Sequence, residues 1–282
     1  MRPCILTDEI SQDLDEALEI CDRQGFTAIE IRSVWNTPPN ELTLRQCADI
    51  AARAADRSIS IAGFASPVFK TELPTSAADL TRCQSLLASS IEQCAALGTG
   101  MVRVFSFFRD GAPDVQAAAE AIDTVLNKVP TDEVVVAIET GTRTNTPTAA
   151  LGQQLVDALS RLNVGVLWDP GNTVFAGFGD GHLGGLPDLR PGSLLHVHVK
   201  DPRGTSGYVE LGQGDLPWPA ILAALRERGY RGHVSLETHW RKERVLTARE
   251  RDEPWGEGIS AGGREASEAC MAMLASWLKD VA

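Results

Sequence analysis

The segment Val164-Gly165-Val166-Leu167-Trp168-Asp169 is an apolar run that ends at a carboxylate. An apolar strand should end in a turn, so a charge at its last position requires an explanation. In parallel α/β folds, functional side chains lie at the carboxyl ends of the strands. The segment therefore predicts a parallel strand with a functional carboxylate at its end.

Three other segments repeat this pattern. Glu139 closes the apolar run 134–138, Glu237 closes the run 233–236, and His198 lies within the run 194–199. A single carboxylate at such a position is also compatible with capping of the next helix. Four such positions on successive strands are hard to explain by capping alone, and they predict a shared polar cluster.

The rest of the chain alternates short strand-like runs with longer amphipathic segments. Strands are predicted near 4–6, 28–31, 59–63, 101–105, 134–138, 164–168, 194–199 and 233–236. Helices are predicted near 13–24, 43–57, 77–97, 115–129, 147–161, 217–228 and 263–279. This order predicts an α/β protein with one (β/α)8 TIM barrel over residues 1–282. The sixth unit is the weakest, because 177–191 is rich in Gly and Pro. An open doubly wound sheet is the main competitor, but no G-x-G-x-x-G follows the first strand.

Several residues punctuate the predicted helices. Asp13 is suited to cap the first helix, and Thr43 with Gln46 matches a capping box. Pro147 fits the first turn of the fifth helix, with Thr146 as its cap.

Composition excludes several classes of function. The chain has 282 residues and a formal charge of −12, which argues against nucleic acid and against an anionic membrane surface. The first residues do not resemble a signal peptide, and we expect no membrane-spanning segment. The six cysteines show no C-x-x-C pair, so we expect buried free thiols in a reducing cytoplasm.

The four strand-end residues are chemically suited to a metal. Glu139, Asp169 and Glu237 supply oxygen and His198 supplies one imidazole. Such a set fits a single hard or borderline divalent cation, with Mn²⁺ as first choice and Mg²⁺, Co²⁺ or Zn²⁺ as alternatives.

Strand alternation places further polar residues near this cluster. His196, His198 and Lys200 share one face, as do Ser235, Glu237 and His239. Lys200 and His239 should then stand one layer above the ligands and contact substrate. Glu30 and Arg32 share a face of the second strand and are substrate-binding candidates, with a structural ion pair between them as the alternative. For His196 we favour a hydrogen-bonded core residue over a ligand.

The segment 241–263 combines basic residues with Pro and Gly before the last helix. Barrel loops after strands seven and eight commonly bind phosphate. We expect this segment to form a lid that contacts an anionic or bulky part of the substrate through Arg241 and Arg244. A solvated loop or a subunit contact is the alternative.

Six motifs resemble those of the xylose-isomerase-like superfamily of sugar (phosphate) isomerases and epimerases, which also includes inosose dehydratase and endonuclease IV. They are Asp8-Glu9-Ile10-Ser11, Ile29-Glu30-Ile31-Arg32-Ser33-Val34-Trp35, Arg103-Val104-Phe105-Ser106-Phe107, Trp168-Asp169-Pro170-Gly171-Asn172, His196-Val197-His198-Val199-Lys200-Asp201 and Ser235-Leu236-Glu237-Thr238-His239-Trp240. The resemblance implies a TIM barrel with one divalent cation held by Glu139, Asp169, His198 and Glu237. Asn172 stands where many ketose epimerases of this group carry a histidine, and it joins the substrate-binding candidates. Arg203, which follows His198-Val199-Lys200-Asp201, joins them because this stretch is closer to the inosose dehydratase branch.

The chemistry implied by this ligand set is proton transfer next to a carbonyl. A hard cation that chelates a carbonyl and the adjacent hydroxyl stabilises the enediolate formed when a carbon-bound proton is removed. Glu139 and Glu237 are the candidates for moving that proton. We therefore expect an isomerase or epimerase acting on a sugar, sugar phosphate or keto-sugar. A dehydratase or lyase on an oxidised sugar, glycoside or cyclitol is the alternative.

Other classes fit less well. A DNA-repair endonuclease needs a histidine-rich zinc cluster and a basic face, whereas this chain is acidic and has five histidines. A non-catalytic metal-binding subunit remains a further alternative. Relatives are often dimers or tetramers, which makes a homo-oligomer an expectation by analogy.

Overall fold

The computed structural model describes residues 1–179 and 182–281. Within them, eight parallel strands form one sheet: β1 (Arg2–Ile5), β2 (Ala28–Ile31), β3 (Ser60–Ala65), β4 (Met101–Val104), β5 (Val135–Glu139), β6 (Val164–Trp168), β7 (Leu194–Val199) and β8 (His233–Leu236). Each strand pairs with its successor along the sheet from β2 to β8, and β8 pairs with β1. A parallel bridge between Leu6 and Glu30 joins β1 to β2, so the barrel is nearly closed.

Helices surround the strands. They are α1 (Leu14–Gln24), α2 (Leu44–Asp56), α3 (Ala77–Leu97), α4 (Val115–Leu126), α5 (Ala149–Leu159), α6 (Pro170–Phe175), α7 (Trp218–Glu227), α8 (Ala248–Asp252), α9 (Glu257–Ser260) and α10 (Gly263–Asp280). The predicted α/β TIM barrel is therefore confirmed. The described residues of the sixth unit form the short α6, a kinked 3-10 stretch, His182–Asp188, and a 3-10 turn, Pro191–Ser193. Asp180 and Gly181 of the weak stretch 177–191 lie outside the described residues.

Helix starts follow the predicted caps except at α5. Asp13 caps α1, and Thr43 and Gln46 form the capping box of α2. The helix start predicted at Pro147 is wrong, since α5 begins at Ala149. The hydroxyl of Thr146 makes a hydrogen bond of 2.7 Å with Ser106 and does not cap the helix. Thr148 caps α5 instead, by accepting from Leu151 N.

The barrel interior changes from apolar to polar along its axis. Met101, Ala137 and Leu167 form a small buried cluster of their own. Ala137 precedes Glu139 by two residues, and Leu167 precedes Asp169 by two, so each pair points to the same side of the sheet. The polar cluster therefore lies directly above an apolar plug, at the carboxyl ends of the strands.

The six cysteines are all buried with free thiols. None of the helices among the described residues has the length and apolar character needed to cross a membrane.

Candidate active site

The four residues predicted as a cluster lie together at the carboxyl ends of β5 to β8. Each offers one ligand atom, and these atoms lie within 4.8 Å of one another. His198 Nδ1 lies 3.3 Å from Glu237 Oε2. It lies 3.7 Å from Glu139 Oε1 and 3.8 Å from Asp169 Oδ2. Four strands that are distant in sequence thus present three carboxylates and one imidazole to a common point.

The donor atoms of this cluster fit a divalent cation. Within the described part of the chain, neither Asp169 Oδ2 nor His198 Nδ1 has a hydrogen-bond partner, although both are buried. Such unsatisfied buried atoms are rare in native proteins and often mark an ion site. His198 Nδ1 lies 3.3–3.8 Å from the three carboxylate oxygens. Such separations suit ligand atoms that each lie about 2.0–2.2 Å from a shared ion.

Asn172 and Arg103 hold Glu139 in place. Arg103 Nη1 donates to Glu139 Oε2 at 2.7 Å, and Asn172 Nδ2 donates to Glu139 Oε1 at 3.0 Å. Tyr208 OH donates to Asn172 Oδ1 at 3.2 Å, and the backbone N–H of Asn172 donates to Asp169 Oδ1 at 2.9 Å. Asn172 therefore connects two of the candidate ligands.

Glu237 is held by two cations. Arg32 Nη1 donates to Glu237 Oε1, and Lys200 Nζ donates to Glu237 Oε2. Lys200 Nζ also lies 2.8 Å from Asp169 Oδ2, without the geometry of a hydrogen bond. A Cβ at Gly171 would lie 2.4 Å from Lys200 Cγ, so glycine at this position makes room for the lysine side chain to reach the cluster.

The surrounding charges keep the three carboxylates ionised at neutral pH. Burial raises the pKa of Asp169 to about 6, against the opposing effect of the Lys200 ammonium. For Glu139, burial is outweighed by the Arg103 guanidinium and by His198, and the pKa falls to about 2. Burial is likewise outweighed at Glu237, where the Lys200 ammonium holds the pKa well below its usual range. Ionised carboxylates are the form that a hard cation binds.

Glu30 lies beneath the cluster, between two histidines. Its Oε2 lies 3.0 Å from His198 Nε2, and its Oε1 contacts His196 Nε2. Metal-binding histidines commonly donate their second ring N–H to a carboxylate, which fixes the ring orientation. Glu30 is therefore placed to orient His198. His196 is buried, as expected of a core residue, but its Nε2 has no hydrogen-bond partner among the described residues and contacts Glu30 only as an ion pair.

We expect Glu30→Gln to weaken Mn²⁺ binding about 10- to 100-fold, because the variant loses the charge that orients and polarises His198. Isothermal titration with Mn²⁺ measures the change. The matched control is Glu19→Gln, the same substitution on the exposed face of α1. Equal affinity of the Glu30 variant and the control would show that Glu30 does not support the ligand.

A second acidic group around Glu9 is an ion-pair network. Glu9 Oε1 accepts from Arg32 Nη2 at 3.0 Å. Glu9 Oε2 accepts from Thr238 Oγ1, from the backbone N–H of His239 and from Arg241 Nη1. Both carboxylate oxygens of Glu9 accept hydrogen bonds from these donors. The network also holds His239 at φ +47°, a strained conformation that fixes the loop after β8.

A cavity of about 320 Å³ opens above the four ligands. Its lining includes Glu139, Glu237 and three of the predicted substrate-binding residues, Asn172, Lys200 and His239. The other three do not reach it in this structure. Glu30 lies beneath His198, Arg32 is buried among Asp8, Glu9 and Glu237, and Arg203 binds the carbonyl of Gln213 on the surface. Glu30 and Arg32 do not pair with each other, so the ion pair considered as the alternative is absent from the salt bridges of the described residues.

The segment 241–263 contributes one wall of the cavity, but not through the residues that we expected. Arg241 is buried and binds Glu9 and the carbonyl of Ile259. Arg244 pairs with Glu250. The guanidinium groups of both residues stabilise the conformation of the segment and do not line the cavity. Arg251 of α8 lines it instead.

The cavity lining also includes residues that the sequence analysis does not predict as site residues, among them Lys70, Arg103, Arg143, Tyr208 and Arg251. Arg103 carried a usable signal, since it is a charge inside an apolar strand. Lys70 and Arg143 lie in loops, Tyr208 lies in the two-residue strand Tyr208–Val209, and Arg251 lies in the short α8. Such segments are too short for periodicity to mark the side that faces the barrel.

Comparison with known proteins gives the following matches. The sequence model of the family described as xylose isomerase-like TIM barrel matches residues 18–262. A search of curated proteins found no match. Among solved structures, D-psicose 3-epimerase in the presence of D-fructose superposes with a TM-score of 0.75 at 20% identity, covering 100% of this chain and 99% of that one. L-ribulose 3-epimerase gives 0.76 at 20% identity, with coverage of 99% and 95%. The IOLI protein with a bound zinc atom gives 0.76 at 18% identity, with coverage of 100% and 99%. At these identities the likeness to solved structures establishes the fold alone.

Proposed function

Because the chain belongs to the xylose isomerase-like TIM barrel family, we propose that it is a divalent-metal-dependent isomerase or epimerase of a sugar. The observation that carries the proposal is the convergence of Glu139, Asp169, His198 and Glu237 beneath a cavity. The epimerase names of two structural neighbours support the same reaction class by analogy.

These four residues would hold the cation, and Mn²⁺ is the ion that best suits an oxygen-rich set with one imidazole. A cation bound here supplies Lewis acidity to a substrate carbonyl. Asp169 Oδ2 and His198 Nδ1 have no hydrogen-bond partner among the described residues, and a bound ion would explain their positions.

Glu139 and Glu237 are the groups placed to move a proton at a substrate carbon. Both line the cavity, and neighbouring cations keep both carboxylates ionised, the form that accepts a proton. Arg103 and Arg32 fix their orientation from behind, which is the preorganisation that proton transfer needs. If the two carboxylates flank one substrate carbon, the outcome is epimerisation. If a proton is moved between adjacent carbons, an aldose and a ketose interconvert.

One observation favours a second candidate, a lyase or dehydratase. Lys200 lines the cavity and its ammonium lies within the carboxylate cluster, 2.8 Å from Asp169 Oδ2. Elimination of a hydroxyl group needs a proton donor for the leaving oxygen, and a positioned ammonium can serve as that general acid.

Deuterium exchange tests the proposal. We expect the purified protein to retain a divalent cation, and the Mn²⁺-loaded protein to incorporate deuterium from D₂O into an intact sugar, as followed by proton NMR over a panel of ketoses, keto-sugars and their phosphates. Chelated protein is the control and should leave the same sugars unexchanged.

The alternatives give different results in the same experiment. A dehydrated or cleaved product identifies the lyase. Retention of the metal with every sugar unchanged would contradict an enzymatic role and favour a metal-binding subunit.

A further inference from the structure

The side chains that line the cavity carry more positive than negative charges, whereas the protein as a whole is negatively charged. Five cationic side chains line it, Lys70, Arg103, Arg143, Lys200 and Arg251, against three anionic ones, Glu139, Glu237 and Asp252. A positive cavity in a chain with a formal charge of −12 attracts anions locally while the outer surface does not.

Most of these cations have a carboxylate partner, but two do not. Arg103 pairs with Glu139, Lys200 with Glu237, and Arg143 with Asp252 at 2.9 Å. Among the described residues, no carboxylate lies within 4 Å of the charged nitrogens of Lys70 or Arg251. Lys70 Nζ donates to the carbonyl of Asp252, and Arg251 Nη1 donates to the carbonyl of Leu246. Neutral carbonyls orient these charges without cancelling them.

The two unpaired cations and Arg143 are gathered around one residue. The carbonyl of Asp252 accepts from Lys70, its carboxylate pairs with Arg143, and Arg251 precedes it in α8. Lys70 comes from the loop after β3 and Arg143 from the loop after β5, so three separate segments meet at this side of the cavity.

Aromatic rings support each of the three cations. Lys70 Nζ lies 5.2 Å from the centroid of the Phe105 ring, and Arg143 Cζ lies 4.6 Å from that of Phe108. Arg251 Cζ lies 5.2 Å from that of Phe175. Cation–π contacts hold a charge in place and leave its hydrogen-bond donors available.

The pKa of Lys70 indicates that its surroundings do not stabilise the charge of the ammonium. Burial and the nearby Arg103 guanidinium lower the pKa of its ammonium to about 8. An anion bound beside Lys70 would offset both effects.

We propose that the substrate is an anionic sugar derivative, either a phosphate ester or a sugar acid, whose anionic group binds at Lys70, Arg143 and Arg251. Its carbonyl and hydroxyl end then faces Glu139 and Glu237. This inference rests on the proposed function, since it names the substrate class of the same cavity. Arg251 and Lys70 are the binding residues to test, because neither contacts the four candidate ligands.

The experiment compares three substrate arms on Mn²⁺-loaded protein. A neutral ketose, its terminal phosphate ester and the corresponding sugar acid are each followed for deuterium exchange. The variants are Arg251→Gln and Lys70→Met, with Arg249→Gln as the matched control, because Arg249 lies in the same helix, pairs with Glu253 and is absent from the cavity lining. Binding of inorganic phosphate and of acetate to each protein is measured separately by calorimetry.

We expect exchange in an anionic arm and not in the neutral one. Arg251→Gln and Lys70→Met should each raise KM for the anionic sugar about 10- to 100-fold with little change in kcat, since each removes a charged hydrogen bond that serves binding. Arg249→Gln should match the parent protein. The arm that reacts identifies the anion as phosphate or carboxylate.

The failures of the two proposals are distinguishable. Exchange of the neutral ketose with unchanged KM in Arg251→Gln overturns the anionic substrate and leaves the isomerase intact. If no sugar is exchanged but inorganic phosphate or acetate binds and is weakened by Arg251→Gln, the anion site stands and the isomerase fails. Absence of both exchange and anion binding overturns the inference together with the function.

Discussion

Replacing Asp169 by asparagine should lower Mn²⁺ affinity by more than about 100-fold while the protein stays folded. Loss of a residue that merely supports a ligand already costs about 10- to 100-fold, and Asp169 supplies an ionised oxygen to the cluster itself. The fold should tolerate the change because Asp169 Oδ1 also caps α6 by accepting from Asn172 N, and asparagine caps helices as well as aspartate does. Metal content after dialysis and calorimetric titration with Mn²⁺ measure the effect.

The matched control is Asp114→Asn, which makes the same substitution at another helix cap. Asp114 accepts from Ala117 N at the start of α4, far in sequence from every candidate ligand. Metal affinity should be unchanged in this variant. Parental affinity in Asp169→Asn would mean that these four residues do not form the metal site.

Replacing Glu237 by glutamine should reduce deuterium exchange of the epimer that Glu237 deprotonates about 10²- to 10⁴-fold at saturating Mn²⁺, the range that a general acid or base contributes. Glutamine retains the size of the side chain but cannot take up a proton. Arg32 keeps Asp8 and Glu9 as partners, and Lys200 keeps Asp169, so neither cation is left without an opposite charge. The NMR exchange rate is measured with the metal content of each sample determined in parallel, because Glu237 is also a candidate ligand.

Glu133→Gln is the control for this substitution, since Glu133 is exposed just before β5. Full exchange of both epimers by a metal-loaded Glu237→Gln variant would show that Glu237 does not move the proton. The corresponding Glu139→Gln variant identifies the reaction type. If the two carboxylates act on opposite faces of one carbon, each variant still exchanges deuterium into one epimer but converts neither epimer into the other. If a single carboxylate is the base, one variant loses exchange altogether and the other variant keeps it.

The strands were predictable because burial on a periodic element leaves a periodic trace. Apolar runs in the sequence predict all eight strands. The polar residue at the end of each of β5 to β8 predicts the ligand cluster. Arg103 belongs to the same class of signal, since it is a charge between Met101 and Phe105 on one face of β4, but it was not used as a site residue.

The depth of a residue inside the barrel was not predictable. Glu30 and Arg32 share a face of β2, and alternation alone places them side by side with the ligands. In the barrel, Glu30 lies under His198 while Arg32 reaches Glu237. Strand tilt and stagger set these heights, and they depend on how all eight strands close together.

Local sequence patterns determine the order of strands and helices, the apolar plug and the four candidate ligands. They do so because each strand or helix leaves its own period in the sequence. Which cations face the cavity does not follow from any local pattern. Lys70, Arg143 and Arg251 come from three segments with no shared period. Arg241 and Arg244 are also basic loop residues, but they pair with Glu9 and Glu250 instead of lining the cavity. Long-range packing and ion pairing determine the paths of these loops, so the substrate charge that we propose follows from the tertiary structure and not from any local pattern.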